Sequence, residues 1–122
     1  MAILHTCLNV GDADRTADWY VEQLDFERSW EFTTEDGDTH NIYVTDENGV
    51  EFQLSDTDGQ TPSNQGNHYD HVAVDVDDVD AVFEEIDHHG VVKEPGDQPA
   101  AGARTAFVKD PDGHHVELIE PL

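Results

Sequence analysis

Two segments of this chain repeat one alternation of apolar and polar positions. "ILHTCLNVGDADRTADWY" begins at Ile3, and "YDHVAVDVDDVDAVFEEI" begins at Tyr69. In each, a period-two run comes first, an Asp-rich turn follows, and apolar residues then recur at helical spacing. In the first half the pattern predicts a strand over 2–10, a helix over roughly 14–24 capped by Asp12 or Asp14, and strands near 28–34, 40–46 and 50–55. Ala13, Ala17, Tyr20 and Leu24 share one face of that helix, and "EDGD" and "DENG" mark the turns. In the second half it predicts a strand over 70–76, a helix ending near Gly90, and strands near 91–94, 103–109 and 115–120. Val79, Val82, Phe83 and Ile86 mark the inward side of the second helix; "PGDQPAAGA" reads as a loop and "DPDG" as a turn.

The fold class is therefore α+β, with two βαβββ units in a single duplicated domain. Repeat 1 covers 1–56, repeat 2 covers 69–122, and the linker 57–68 is rich in Gly, Pro, Ser and Asn without apolar period. An offset of 66 residues takes His5 to His71, Val10 to Val76 and Asp12 to Asp78. The same offset lays "GVEFQL" (49–54) on "HVELIE" (115–120), so Glu51 falls on Glu117. Each half then holds a His and, 46 residues later, a Glu.

Strand parity fixes where these residues point. His5, Cys7 and Asn9 alternate with Leu8 and Val10, and His71, Ala73 and Asp75 with Val72 and Val74. Glu51, Gln53 and Ser55 alternate with Val50, Phe52 and Leu54; Glu117 opposes Val116 and Leu118. The apolar sets pack beneath the helices. The His and Glu face the other way. Two imidazoles and two carboxylates of this kind suit a divalent metal with nitrogen and oxygen ligands.

Charge narrows the functional classes. Five Lys plus Arg stand against 29 Asp plus Glu, a net charge of −24. Nucleic-acid phosphates would be repelled, so that class is excluded. The acids are spread along the chain and Lys is scarce, as expected of a halophilic surface kept hydrated in concentrated salt. At about 1 M salt the screening length is only ~3 Å, which removes most of the self-repulsion. Hydrophobic residues make up 36% of the chain, enough for a core, and no run approaches the ~18 residues of a membrane span. "MAILHTCLNV" has no basic leader segment, so a cytoplasmic location is expected, and the lone Cys7 has no internal disulfide partner.

"LHTCLNVGDADRTADWY", "GVEFQL", "YDHVAV" and "FVKDPDGHHVELIEP" resemble the vicinal oxygen chelate superfamily, and within it glyoxalase I (lactoylglutathione lyase). The resemblance implies a cup-shaped mixed sheet with the helices on its outer face. It implies metal ligands at His5, Glu51, His71 and Glu117, with Ni²⁺ or Co²⁺ preferred to Zn²⁺. It also implies a homodimer with sites at the interface. The implied activity turns the hemithioacetal of methylglyoxal and a thiol into a 2-hydroxyacyl thioester. Glu117 is the implied base and Glu51 its symmetric counterpart.

Other members of the superfamily are epimerases, thiol transferases, dioxygenases and non-catalytic antibiotic-binding proteins. Methylmalonyl-CoA epimerase has Gln at the first-half Glu position, so Glu51 points to the glyoxalase I branch. Members that use glutathione carry an Arg where this chain has Asn9 and an Asn where it has Ser55. Losing the Arg removes a bidentate carboxylate clamp and points to another low-molecular-weight thiol. Arg104 is then expected among the substrate-binding residues, with Lys109 another of the few cations left.

Overall fold

A computed structural model describes residues 1, 3–62 and 69–122. The chain divides into two compact units, Met1–Ser63 and Asn64–Leu122. The division falls within the linker expected over 57–68; its residues 63–68 lie outside the described residues, as does Ala2 in the expected first strand.

Unit 1 runs β1 (His5–Asn9), α1 (Ala13–Leu24), β2 (Glu27–Thr33), β3 (Thr39–Thr45) and β4 (Glu51–Thr57). The sheet order is β1-β4-β3-β2, with β1 parallel to β4 and the other pairs antiparallel. Asp12 caps α1 by accepting from the Arg15 amide, while Asp25 ends it in the left-handed region at φ 58°. Ala13, Ala17, Trp19 and Tyr20 of α1 are buried with Leu8, Ile42, Val44 and Leu54 of the sheet. Tyr20, Phe26 and Phe52 meet ring to ring beneath the helix. Trp19 joins this core although helical spacing did not single it out; Leu24 is only partly buried.

Unit 2 repeats the plan with β5 (His71–Asp75), α2 (Val79–Glu85), β6 (Val91–Gln98), β7 (Ala103–Lys109) and β8 (His115–Pro121). Its sheet order is β5-β8-β7-β6, again with one parallel pair, β5 and β8. Asp78 caps α2 through the Ala81 amide. Val79, Ile86, Ala106, Val108, Val116 and Leu118 form the core.

Two elements depart from the sequence pattern. The second helix stops at Glu85 rather than near Gly90, because the chain leaves it to pair with a strand. The His89 amide donates to the Lys109 carbonyl and Lys109 donates to the Gly90 carbonyl. Gly90 takes φ 149°, where a Cβ would come within 3.1 Å of Lys109 Cδ. "PGDQPAAGA" is not all loop either. Strand β6 continues through Pro95 to Gln98, with register shifts on both sides of Lys93, and a 3-10 turn covers Pro99–Ala101. β6 is an edge strand, where proline's missing amide is tolerated.

Candidate metal and catalytic residues

The two ladders show how the halves correspond. In unit 1 His5 lies opposite Glu51, Cys7 opposite Gln53 and Asn9 opposite Ser55. In unit 2 His71 lies opposite His115, Ala73 opposite Glu117 and Asp75 opposite Ile119. The first strands are therefore related by 66 residues and the last strands by 64. The antiparallel hairpins agree: Tyr43 pairs with Gln53, and Phe107 with Glu117. So does the bond that ties each helix start to the last strand. The Ala13 amide donates to Asp56 at 3.1 Å, and the Val79 amide to Glu120 at 2.9 Å.

This replaces the uniform offset expected from the sequence. Glu51 corresponds to His115, and Glu117 corresponds to Gln53. The difference arises between the helix starts and β3 and β7, where α2 has 7 residues against 12 in α1. The matching turns confirm it. Asp46 accepts from the Asn48 and Val50 amides, and Asp110 from those of Asp112 and His114.

Strand parity is as expected. In unit 1 the face away from α1 carries His5, Cys7, Asn9, Glu51, Gln53 and Ser55 on the two parallel strands. Tyr43 lies edge-on to the His5 ring at 5.5 Å and 83°, and Trp30 stacks on Tyr43 at 4.2 Å. Burial, reinforced by Cys7 and Glu51, pushes the Tyr43 phenol above its usual range. In unit 2 the corresponding face carries His71, His115, Glu117, Phe107 and Lys109. Phe107 meets the His71 ring at 5.2 Å and 80°, the counterpart of the His5–Tyr43 contact.

The most ordered chemistry is at His71. Its Nε2 lies 3.0 Å from Glu117 Oε1, and its Nδ1 lies 2.6 Å from Asp70 Oδ2. A ring that gives an Nδ1 proton to Asp70 presents a lone pair at Nε2, facing an acidic oxygen. A divalent ion would find a nitrogen and an oxygen donor side by side there. A carboxylate behind a histidine is also the usual support of a metal ligand. The donor types suit a divalent ion. Among the described residues no three His, Cys, Asp or Glu side chains are gathered closely enough to hold a metal ion. Unit 2 gathers two such side chains.

The remaining expected residues fall differently. Glu51 Oε2 accepts from Ser29 Oγ on β2, at the far edge of the sheet from β1. Ser55 is 9% exposed, and its hydroxyl donates to Asn41 Oδ1 and lies 3.2 Å from Cys7 Sγ. Asn9 is exposed on β1. Arg104 does not share the His71 face. It points to the helix side, with Nε and Nη2 on the two Asp80 oxygens at 2.7 and 2.9 Å and Nη1 on Asp97 at 3.0 Å. Those bonds raise the Arg104 pKa and lower that of Asp80.

Comparison with known proteins settles the family. The model of the Glyoxalase/Bleomycin resistance protein/Dioxygenase superfamily matches residues 2–118. The chain belongs to this superfamily. A probable lactoylglutathione lyase of Vibrio cholerae is 36% identical, over 97% of this chain and 89% of its own length. Glyoxalase I from Zea mays matches at TM-score 0.82 and 30% identity, over 98% of this chain; the chain spans 47% of the maize protein. A trypanothione-dependent glyoxalase I of Leishmania major matches at TM-score 0.79 and 28% identity, covering 98% of this chain and 86% of that one. The superfamily's paired βαβββ units are those described above, and the likeness to glyoxalase I enzymes extends over nearly the whole chain. No helix of the described residues is long and apolar enough to cross a membrane.

Proposed function

We propose that this chain is a divalent-metal-dependent lyase of the glyoxalase I type. It would isomerise the hemithioacetal of methylglyoxal and a low-molecular-weight thiol to a 2-hydroxyacyl thioester. The observation that carries this reading is the Asp70–His71–Glu117 run, an acid-backed imidazole beside a second acid. The relatives that are lactoylglutathione lyases support the reaction.

His5, Glu51, His71 and Glu117 are the proposed ligands, the set that the repeat offset and the family resemblance suggest. A bound ion, Ni²⁺ or Co²⁺ in preference to Zn²⁺, would stabilise the negative charge that develops on the substrate's adjacent oxygens. Glu117 takes the carbon-bound proton beside the masked carbonyl and returns it to the neighbouring carbon. Trp30 and Phe32, exposed on the Tyr43 side of unit 1, offer an apolar wall to the substrate. The active form in this reading is a cytoplasmic homodimer.

The thiol we infer is not glutathione. Asn9 offers no cation, the Ser55 hydroxyl is engaged inward, and Arg104 is held by Asp80 and Asp97. Lys93 and Lys109 share the His71 face and are the cations left there to meet an acidic thiol. The test is metal analysis of protein purified in high salt, with a methylglyoxal assay across several thiols, with and without Ni²⁺. Turnover with a thiol other than glutathione is the expected result.

A second reading follows from the ladder register, in which Gln53 rather than Glu51 occupies the position that Glu117 has in unit 2. Gln at that position is a mark of the epimerase branch, so Glu51 no longer argues against it. Bound metal without turnover on any thiol would favour an epimerase.

A further inference from the structure

We propose that the carboxylate clamps on Arg28 and Arg104 shield these two guanidiniums from covalent modification by 2-oxoaldehydes. The choice of aldehyde rests on the lyase reading above.

The clamp is built twice, once in each unit. In unit 1 Arg28 of β2 gives Nη1 to Asp14 Oδ1 at 3.1 Å, and Nη2 to Asp18 Oδ1 at 2.8 Å and to the Asp14 carbonyl at 3.3 Å. In unit 2 Arg104 of β7 gives Nε and Nη2 to the two oxygens of Asp80 and Nη1 to Asp97. Asp14 and Asp80 are each the second residue of a helix, and the offset of 66 takes one to the other. The arginines come from strands that do not correspond, β2 and β7. The same helix position thus holds a guanidinium in both halves, by different routes.

The chemistry of the adduct shows what the clamp prevents. A 2-oxoaldehyde joins two nitrogens of one guanidine through its two carbonyl carbons. Two C–N bonds form, two N–H protons end on the former carbonyl oxygens, and nothing is oxidised or reduced. The attacking nitrogen must first give up the guanidinium's extra proton. In Arg104 all three nitrogens donate to carboxylate oxygens, and in Arg28 both terminal nitrogens are committed. Desolvation pulls the Arg28 pKa down, but the bonds to Asp18 and Asp14 raise it on balance; the bonds to Asp80 and Asp97 raise that of Arg104. The reacting form is therefore scarce at both. Burial does not do this work, because the side chains keep 35% and 29% of their exposure and a small aldehyde can reach them.

The cost of losing either cation explains the need. Dehydration of the adduct gives a ring that is a much weaker base than guanidine. Asp14 and Asp18, one turn apart on α1, would then repel each other, as would Asp80 and Asp97, in a chain already at −24. Both helices follow directly on the strands that carry His5 and His71.

Methylglyoxal alone tests this on the full chain in high salt. Thiol is left out, so no hemithioacetal forms and the readout needs no turnover; a failure of the lyase reading leaves it unmoved. Fragmentation mass spectrometry follows the adduct at each arginine, with circular dichroism as the check on folding. Asp80→Asn should raise the rate at Arg104 by about threefold or more and leave Arg28 unchanged, and Asp14→Asn should do the reverse. Should Asp80→Asn fail to fold, Asp97→Asn on the edge strand makes the same test of Arg104. Equal rates at both arginines in the parent and in these variants would overturn the proposal. So would slower modification in the variants, which would make the acids proton acceptors that assist the addition.

Discussion

Glu117 Oε1 stands 3.0 Å from Nε2 of His71, and the opposite nitrogen of the same ring is 2.6 Å from Asp70. One imidazole thus sits between two acids on adjoining elements. In the proposed metal site each of the three members would have a separable role.

Glu117→Gln keeps an oxygen in place and removes the base. We expect turnover to fall by about 10²-fold or more, the usual weight of a positioned proton carrier, while part of the metal remains bound. Steady-state assay beside metal analysis checks this. Near-normal activity would remove Glu117 from the proton-transfer role.

Asp70→Asn tests the support behind His71. The Asp70 side chain is 89% exposed, so the fold should not notice the change. Metal affinity should drop by about 10- to 100-fold, as it does when a ligand's outer hydrogen-bond partner is lost. Equilibrium dialysis against Ni²⁺ reads the shift, and unchanged circular dichroism excludes unfolding as its cause.

Stability should depend steeply on salt. With a net charge of −24, lowering the salt from about 2 M to about 0.1 M lengthens the screening distance to ~10 Å and restores the repulsion. The urea midpoint should fall as salt is removed. A midpoint that held or rose would defeat the salt-adaptation reading.

Arg104 and Asp80 supply a pH test. Hydrogen bonds from the guanidinium, the largest influence, hold the Asp80 carboxyl below its usual range. Its folded-state pKa is therefore below the unfolded one. The pair's contribution to stability is present above the unfolded pKa and lost as pH falls through the folded value. Carboxyl NMR should show Asp80 titrating below ~3.9 and returning towards that value in Arg104→Met. An unchanged midpoint would mean the ion pair does not persist in solution.

Much of this could be read from the chain before any coordinates. Period-two runs around His5 and His71 identified both strands and their faces, and Asp12 was one of two candidates for the first helix cap, with Asp78 laid on it by the offset. The register of the last strands was harder. "VEF" and "VEL" look like one another, and aligning them lays Glu51 on Glu117. The turns "DENG" and "DPDG" hold the better signal, because Asp46 and Asp110 each bind two amides across a turn closed by Gly49 or Gly113. Aligned on those turns, the strands differ by 64 residues and Gln53 meets Glu117. The fate of Arg104 was not legible, since its two acid partners come from α2 and β6 and only the packed sheet brings them together. The early end of α2 is likewise tertiary: Lys109 offers His89 and Gly90 backbone partners that a local pattern cannot anticipate.

The stacked rings of unit 1 give the protein an optical reporter of its own. Trp30 lies against Tyr43, and Tyr43 lies against His5, so an indole sits two aromatic contacts from an imidazole. Open-shell Ni²⁺ or Co²⁺ arriving at His5 should dim its fluorescence, letting occupancy of the first half be followed without a label or a substrate.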